Sequence, residues 1–512
     1  MKLTYAQLKD KILGCWNGKN IGGTLGAPYE GPRRINNVTF YDQAVLDNPP
    51  ANDDLDLQIL WLNAVERFGN KVDSHLLSEY WLAYVIPNWV EYGSAKANLK
   101  MGLKPPFSGS VENDYKDSNG AFIRSEIWAC LCPGRPDVAA RYAYNDAIID
   151  HGNEGVYAEI FCAVVESASF VESDPYKLID IGLSFIPENC DCAKAIKLVI
   201  EEHKKGTTWQ DLRHILLSTI TCNFGIQDKE PSVRCDDYPP TKPGYDAPCH
   251  MGFTILSWLY GEGDFEKSIC LATNIGDDAD CTAATIGSFL GIILGNDALP
   301  EKWVKPLNNK IITKCINIMS PGITAPTTIE QLTDKVLECI PSFIPEKCHL
   351  GSEIYTVETL NKDQLKFAKS KRLPLIDTNT MEQAYPYEMI RDLSPYCVLY
   401  QYPTFNAVLD YGGENTISVG ETKKLTLTLT DNGILNEQRW VEVSVLCKQG
   451  LIASKGAYTA RALQVTHGYK AVFEIELTAT EQANCSKLEF YIDVQVASRP
   501  TTTVIKGFFI NK

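Results

Sequence analysis

Two short acidic stretches carry the residues best suited to chemistry: Asn52-Asp53-Asp54-Leu55-Asp56 and Gly276-Asp277-Asp278-Ala279-Asp280-Cys281-Thr282. A single Asp or Asn at a helix start is ordinary, because its side chain accepts from unpaired N–H groups and complements the macrodipole. Capping needs only one such residue. Three carboxylates crowded at each of two starts repel one another at neutral pH unless a cation lies between them. If the two starts meet, these acids and neighbouring oxygens could hold one or two hard divalent ions. Oxygen donors favour Mg, Mn or Ca over Zn. At a helix start, the i, i+2 spacing of Asp278 and Asp280 lets both carboxylates turn toward one point beyond the helix end.

Each stretch opens an amphipathic segment. Leu57, Leu60, Trp61, Ala64, Val65 and Phe68 recur at spacings of three and four, as do Ala283, Ile286, Gly287, Leu290, Ile293 and Leu294. Val156, Ile160, Ala163, Val164, Ser167 and Ala168 form a third such face. Gly and Pro clusters at 105–110 and 133–136 separate these segments. The spacing predicts a large all-α domain over 1–350. Residues 351–395 are polar with scattered prolines and read as a connector. From 396 to 512 the period becomes two: Leu425 to Thr430, then Val441, Val443 and Val445, then Phe473, Ile475 and Leu477, then Leu488 to Val496. Some eight strands there predict a small all-β sandwich.

The chain has 512 residues, 45% apolar and 22% charged, with 48 basic against 64 acidic side chains and a net charge of −16. That composition excludes a disordered protein. Its acidity argues against nucleic acid and membrane surfaces as partners. No stretch of about 20 apolar residues occurs, and the start lacks an uninterrupted apolar leader. Seventeen cysteines, scattered through apolar stretches, read as buried thiols in a reducing, cytoplasmic setting. The pairs Cys130/Cys132 and Cys190/Cys192 lack zinc-type partners.

The order of motifs resembles the ADP-ribosylglycohydrolase family, the all-helical dinuclear-magnesium hydrolases that include the bacterial dinitrogenase reductase-activating enzyme. Gly22-Gly23-Thr24-Leu25-Gly26-Ala27-Pro28-Tyr29-Glu30 is similar to the family's Gly-rich helix end followed by Glu. Asn52-Asp53-Asp54 resembles its Thr-Asp-Asp triplet. Ser118-Asn119-Gly120-Ala121-Phe122-Ile123-Arg124 resembles its Gly-Asn-Gly-Ala loop. His151 matches its histidine, and Asn274-Ile275-Gly276-Asp277-Asp278-Ala279-Asp280-Cys281 its late acidic signature. The resemblance covers residues 1–310 and leaves the sandwich outside it.

The resemblance implies a metal set of Asn52, Asp53, Asp54, Asp278, Asp280 and Cys281, holding two Mg ions, with Mn as an alternative. It implies catalytic carboxylates among Glu30, Asp54 and Asp280, and substrate contacts from Asn119, Gly120, Ala121 and His151. Glycines 22, 23 and 26 would let the backbone approach a ligand closely. Two departures stand out: Asn52 and Cys281 occupy positions where the family places Thr. A thiol is a poor ligand for a hard cation, so the second metal is the one affected; Thr282 or Asp277 could replace it. The segment from Cys235 to His250 is acidic and aromatic, and Tyr238 or Tyr245 could stack on a sugar or base. Such a wall suits an uncharged glycoside better than a diphosphate. The expected activity is therefore hydrolysis at the anomeric carbon of an ADP-ribosyl or related furanosyl group. The alternatives are a glycoside or nucleoside hydrolase acting on a neutral furanoside, and a degenerate binder of ADP-ribose or a sugar.

Overall fold

Thr4 sets the start of the first helix: its hydroxyl accepts from the Gln7 N–H while the Gln7 side chain accepts from the Thr4 N–H. This reciprocal cap begins the Tyr5–Gly26 helix. Along that helix glycine recurs every fourth residue, at 14, 18, 22 and 26. The stripe lies against the Ala279–Leu294 helix, which presents Ala283, Gly287 and Gly291 in return. A Cβ at Gly18 would lie 2.0 Å from Gly287 O, one at Gly22 2.1 Å from Ala283 O, and one at Gly26 2.3 Å from Asp280 Cα. The two backbones are in direct contact, and the helices run antiparallel. The acidic start of the second helix is thereby held against the end of the first. Gly22 and Gly26 thus serve helix packing, not the approach to a ligand that their position in the motif suggested.

The computed structural model describes residues 1–47, 50–51, 53–220, 244–318, 323–351, 354–367, 393–402, 405–431, 439–463, 468–497 and 502–512. They fall into two compact units, Met1–Ser370 and Lys371–Lys512. The first is helical, as its periodicity predicts. The Asp53–Phe68 helix differs in one respect: it is buried almost all round, from Asp54 to Val65. Its second face is covered by the Ile329–Phe343 helix and the Ser74–Tyr84 helix, which a single-face pattern does not reveal. Six tryptophans (16, 61, 81, 128, 258 and 303) are fully buried in this unit.

Three short strands complete the unit: β1 (Lys2–Thr4), β2 (Cys348–Leu350) and β3 (Tyr355–Glu358), with β3 central and antiparallel to both. The start of the segment read as a connector is therefore a strand of the helical unit, and residues 368–392 lie outside the described set. None of the described cysteines forms a disulfide. No helix among the described residues is long and apolar enough to cross a membrane.

The second unit is all-β, as the period of two predicts. Its strands are β4 (Cys397–Gln401), β5 (Phe405–Asp410), β6 (Thr416–Ile417), β7 (Thr422–Asp431), β8 (Arg439–Cys447), β9 (Leu451–Lys455), β10 (Tyr458–Leu463), β11 (Lys470–Ala479), β12 (Lys487–Val496) and β13 (Thr502–Asn511). One sheet runs β10-β8-β12-β13-β6 and the other β4-β5-β7-β11-β9. Leu427, Leu429, Phe473 and Ile475 from one sheet, with Val443, Phe490, Ile492 and Val494 from the other, are buried as alternation requires.

Candidate active site

Residues 31–36 run beside residues 274–277 and fix the second acidic turn. Gly31 N–H donates to Asp277 O (2.8 Å), Asp277 N–H to Pro32 O (3.1 Å) and Asn36 N–H to Asn274 O (2.9 Å). Gly276 has φ +81° and lies so close to this segment that a Cβ would be 1.9 Å from Arg34 O. Only glycine fits there. Arg33 Nε donates to both Asp277 oxygens at 3.1 Å, a buried ion pair. Asp277 is thereby engaged in structure and does not replace Cys281 as a ligand. The Thr282 hydroxyl donates back to Asp278 O at 2.9 Å. In the first stretch, Asp56 is similarly engaged, since its Oδ2 accepts the N–H groups of Lys314 (2.6 Å) and Cys315.

Four acids of the two stretches remain, and Glu30 joins them. Carboxylate oxygens of Glu30, Asp278 and Asp280 lie within 4.8 Å of one another, and so do donor atoms of Asp54, Asp280 and Cys281. Asp280 belongs to both sets. Asp278 Oδ2 accepts from Asn119 Nδ2 at 2.7 Å, whereas Asp278 Oδ1 and Asp280 Oδ1 are buried with no donor. Ionised carboxylates only accept, so oxygens that face one another in the dry need a cation or protons. Behind them Lys19, fully buried, bonds Glu126 at 2.9 Å and lies 3.6 Å from Asp54. Burial opposes its charge, but Glu126 and Asp54 outweigh that and hold the ammonium protonated.

The loop from Ser118 to Arg124 is positioned from below. Ser118 Oγ donates to Glu91 (3.1 Å) and sits 2.9 Å from His151 Nε2, while His151 Nδ1 is 2.9 Å from Asp150. Arg124 clamps Asp150, Asp146 and the Gly120 carbonyl at 2.5–2.9 Å. Gly120, Ala121 and His151 are fully buried, and a Cβ on Gly120 would lie 2.2 Å from Glu91 Oε1. Of these residues Asn119 alone reaches the acids. Its N–H also donates to Tyr245 O (2.9 Å), and the Tyr245 phenol is pushed up by burial and by nearby Asp278 and Glu30. Tyr245 therefore flanks the acid cluster. Asn52 and Tyr238 lie outside the described residues.

A family model described as ADP-ribosylglycohydrolase matches residues 4–341. The chain belongs to the ADP-ribosylglycohydrolase family. It is 39% identical to the ADP-ribosylarginine hydrolase Tri1 of Serratia proteamaculans over 49 residues, 10% of this chain and 13% of the relative. The corresponding protein of Pseudomonas putida is 38% identical over 47 residues, 9% of this chain and 13% of its own length. These matches span about an eighth of the curated relatives. Among solved structures, one titled an ADP-ribosylglycohydrolase-related protein complex is 18% identical with a TM-score of 0.41, covering 66% of this chain and 99% of its own. A conjugative transposon lipoprotein from Bacteroides eggerthii is 14% identical with a TM-score of 0.15, covering 23% of this chain and 98% of its own.

Two residues of this family member were not singled out in its sequence. His250 accepts the Asp278 N–H at Nε2 (3.2 Å) and bonds Asp246 O through Nδ1 (2.6 Å), which steadies the start of the Ala279–Leu294 helix. Lys314 comes from an irregular stretch that Asp56 pins by the backbone, and its charge acts on both Glu30 and Asp53. Its Nζ lies 4.9 Å from the centre of the exposed Trp89 ring. No spacing signals either residue; both depend on partners far away in sequence.

Crowding shifts the acids upward. Desolvation raises Asp54 to about 7 and Glu30 to about 8, with neighbouring acids adding to the rise, and lifts Asp280 well above its ordinary value. Unfolded, each would titrate near about 4. Between those values the folded, metal-free protein binds more protons than the unfolded chain, so its stability falls as pH rises. Asp150 is held low, and its contribution is already complete at pH 5. In EDTA, the Tm of the helical unit should fall from pH 5 to pH 8, and saturating Mg should flatten that slope. A metal-free Tm that rises across this window would contradict the protonated cluster.

Proposed function

We propose that the chain hydrolyses the bond between the anomeric carbon of an ADP-ribosyl group and its acceptor. The observation that supports this most directly is the meeting of two acidic helix starts, with buried carboxylate oxygens lacking donors, in a member of this family. Asp53, Asp54, Asp278 and Asp280 would hold the cation, with Glu30 at the rim; the oxygen donors suit Mg or Mn. Such an ion supplies positive charge that orients vicinal sugar hydroxyls and acidifies water. Glu30, at the rim of the cluster, would take the water's proton as an oxocarbenium-like transition state forms. Asn119 keeps Asp278 oriented, and Tyr245 bounds the pocket beside them.

The composition of the 235–250 segment alone favours an uncharged glycoside. Lys314 changes that balance. Lys19, Arg33 and Arg124 are buried in ion pairs and cannot serve a diphosphate, whereas Lys314 is exposed beside Glu30 and Asp53 with Trp89 next to it. A diphosphate at the lysine and a base on the indole would fit this rim. The arginine linkage named in the curated relatives makes an ADP-ribosyl guanidine the first substrate to try.

The test compares kcat/KM for ADP-ribosylarginine with that for an uncharged aryl furanoside, each with Mg and with EDTA. The charged substrate should be preferred at least tenfold. Lys314→Ala should raise its KM by about tenfold, the loss of one charge-assisted contact, and leave the neutral substrate unchanged. Preference for the furanoside would establish the neutral-glycoside reading instead. Metal-dependent binding without turnover of either would establish a non-catalytic binder.

A further inference from the structure

The two donor sets of the acid cluster differ in chemistry. Glu30, Asp278 and Asp280 offer oxygen only, while Asp54, Asp280 and Cys281 offer two carboxylates and a thiol, all three buried. We propose that Cys281 is a metal ligand, and that its half of the centre takes a borderline divalent ion such as Zn²⁺ or Co²⁺ while the oxygen half takes Mg²⁺ or Mn²⁺. This rests on the metal-centre reading above and sharpens it.

Geometry supports the thiol as a donor. Cys281 Sγ lies 3.5 Å from Asp54 Oδ1. A tetrahedral ion with one sulfur at ~2.3 Å and one oxygen at ~2.0 Å holds those donors about 3.5 Å apart, so little movement is needed. The third donor is a carboxylate oxygen of Asp280, whose Oδ1 is buried without a hydrogen-bond donor of its own. Three protein ligands leave a fourth position open, the pattern of a catalytic rather than a structural site. Cys281 stands in the first turn of the Ala279–Leu294 helix, one residue after Asp280. Asp277, the other acid beside it in the sequence, is committed to the ion pair with Arg33. Mg²⁺ needs near-octahedral oxygen and dehydrates reluctantly, so a thiol corner selects against it, while softer ions accept sulfur.

The experiment titrates the full-length protein, stripped of metal, with CoCl₂ and follows near-ultraviolet absorption. A thiolate-to-cobalt charge-transfer band should grow to saturation at one equivalent and persist when MgCl₂ is added. It should vanish in both Cys281→Ser and Cys281→Thr and survive in Cys485→Ser, which removes an exposed thiol. The Zn²⁺ dissociation constant, measured by competition, should rise by at least about 100-fold in Cys281→Thr, the upper end for losing even an outer-shell partner, with Mg²⁺ affinity held or improved. Stoichiometric cobalt binding without the band, or a band abolished by Cys485→Ser instead, overturns thiol ligation and leaves the oxygen centre standing. Failure of Mg²⁺, Mn²⁺ and Co²⁺ alike to bind by calorimetry overturns both readings.

Discussion

Asp280→Asn should abolish divalent-cation binding at the cluster and lower turnover by about a thousandfold, the scale seen when a preorganised charge at a reacting centre is removed. Asp280 is the shared corner: its carboxylate lies within 4.8 Å of donors in both sets. An amide keeps the shape and one acceptor but loses the charge that two cations would share. The fold should survive, because Asp280 caps nothing and its Oδ1 has no donor to lose. Metal-free, the variant should even melt higher above pH 7. It has one fewer buried carboxyl to ionise against Asp278, Glu30 and Asp54. Metal-titration calorimetry, steady-state kinetics and thermal melts on both proteins separate these effects. Wild-type affinity in the variant would remove Asp280 from the metal set.

Gly18→Val should prevent native folding of the helical unit. Its Cβ would lie 2.0 Å from a backbone carbonyl of the facing helix, which no rotamer change can relieve. Overpacking of ordinary cores costs ~1–3 kcal/mol, and a backbone collision that separates two central helices exceeds that range. Gly413→Ala provides the control, since nothing lies within 4 Å of its added Cβ. Circular dichroism and soluble yield read the outcome. A native melt for Gly18→Val would mean that the two helices can part without losing the fold.

Much of the scaffold is legible because periodicity is local. The apolar faces of Leu57–Phe68 and Ala283–Leu294 announce helices, and the alternation in Leu488–Val496 announces a strand. The meeting of Asp54 with Asp280 is legible from charge crowding, since acids without counter-charge must find one. What is illegible is the choice of partner. Asp56 and Asp277 look equivalent to their neighbours in sequence, yet one holds the backbone at Lys314 and Cys315 and the other holds Arg33. The same holds for the glycines at 22 and 26, whose use depends on a helix more than 250 residues away. Gly120 shares a motif with Asn119, yet only Asn119 reaches the acids, because Arg124 holds the Gly120 carbonyl on the other side.

The three-stranded sheet ties the order of synthesis to the completion of the fold. Leu3 pairs with Val357, and the terminal amine of Met1 donates to Thr359 O at 3.2 Å. On the ribosome the first strand must therefore wait until almost the whole helical unit has emerged, because its partner is the last strand of that unit. Until then residues 2–4 present an open edge, and Leu3, buried in the finished unit, is without its cover. A chain cut after Leu350 would keep β1 and β2 and lose the strand between them. The late arrival of residues 355–358 thus acts as a clasp, closing a loop that spans the entire helical body.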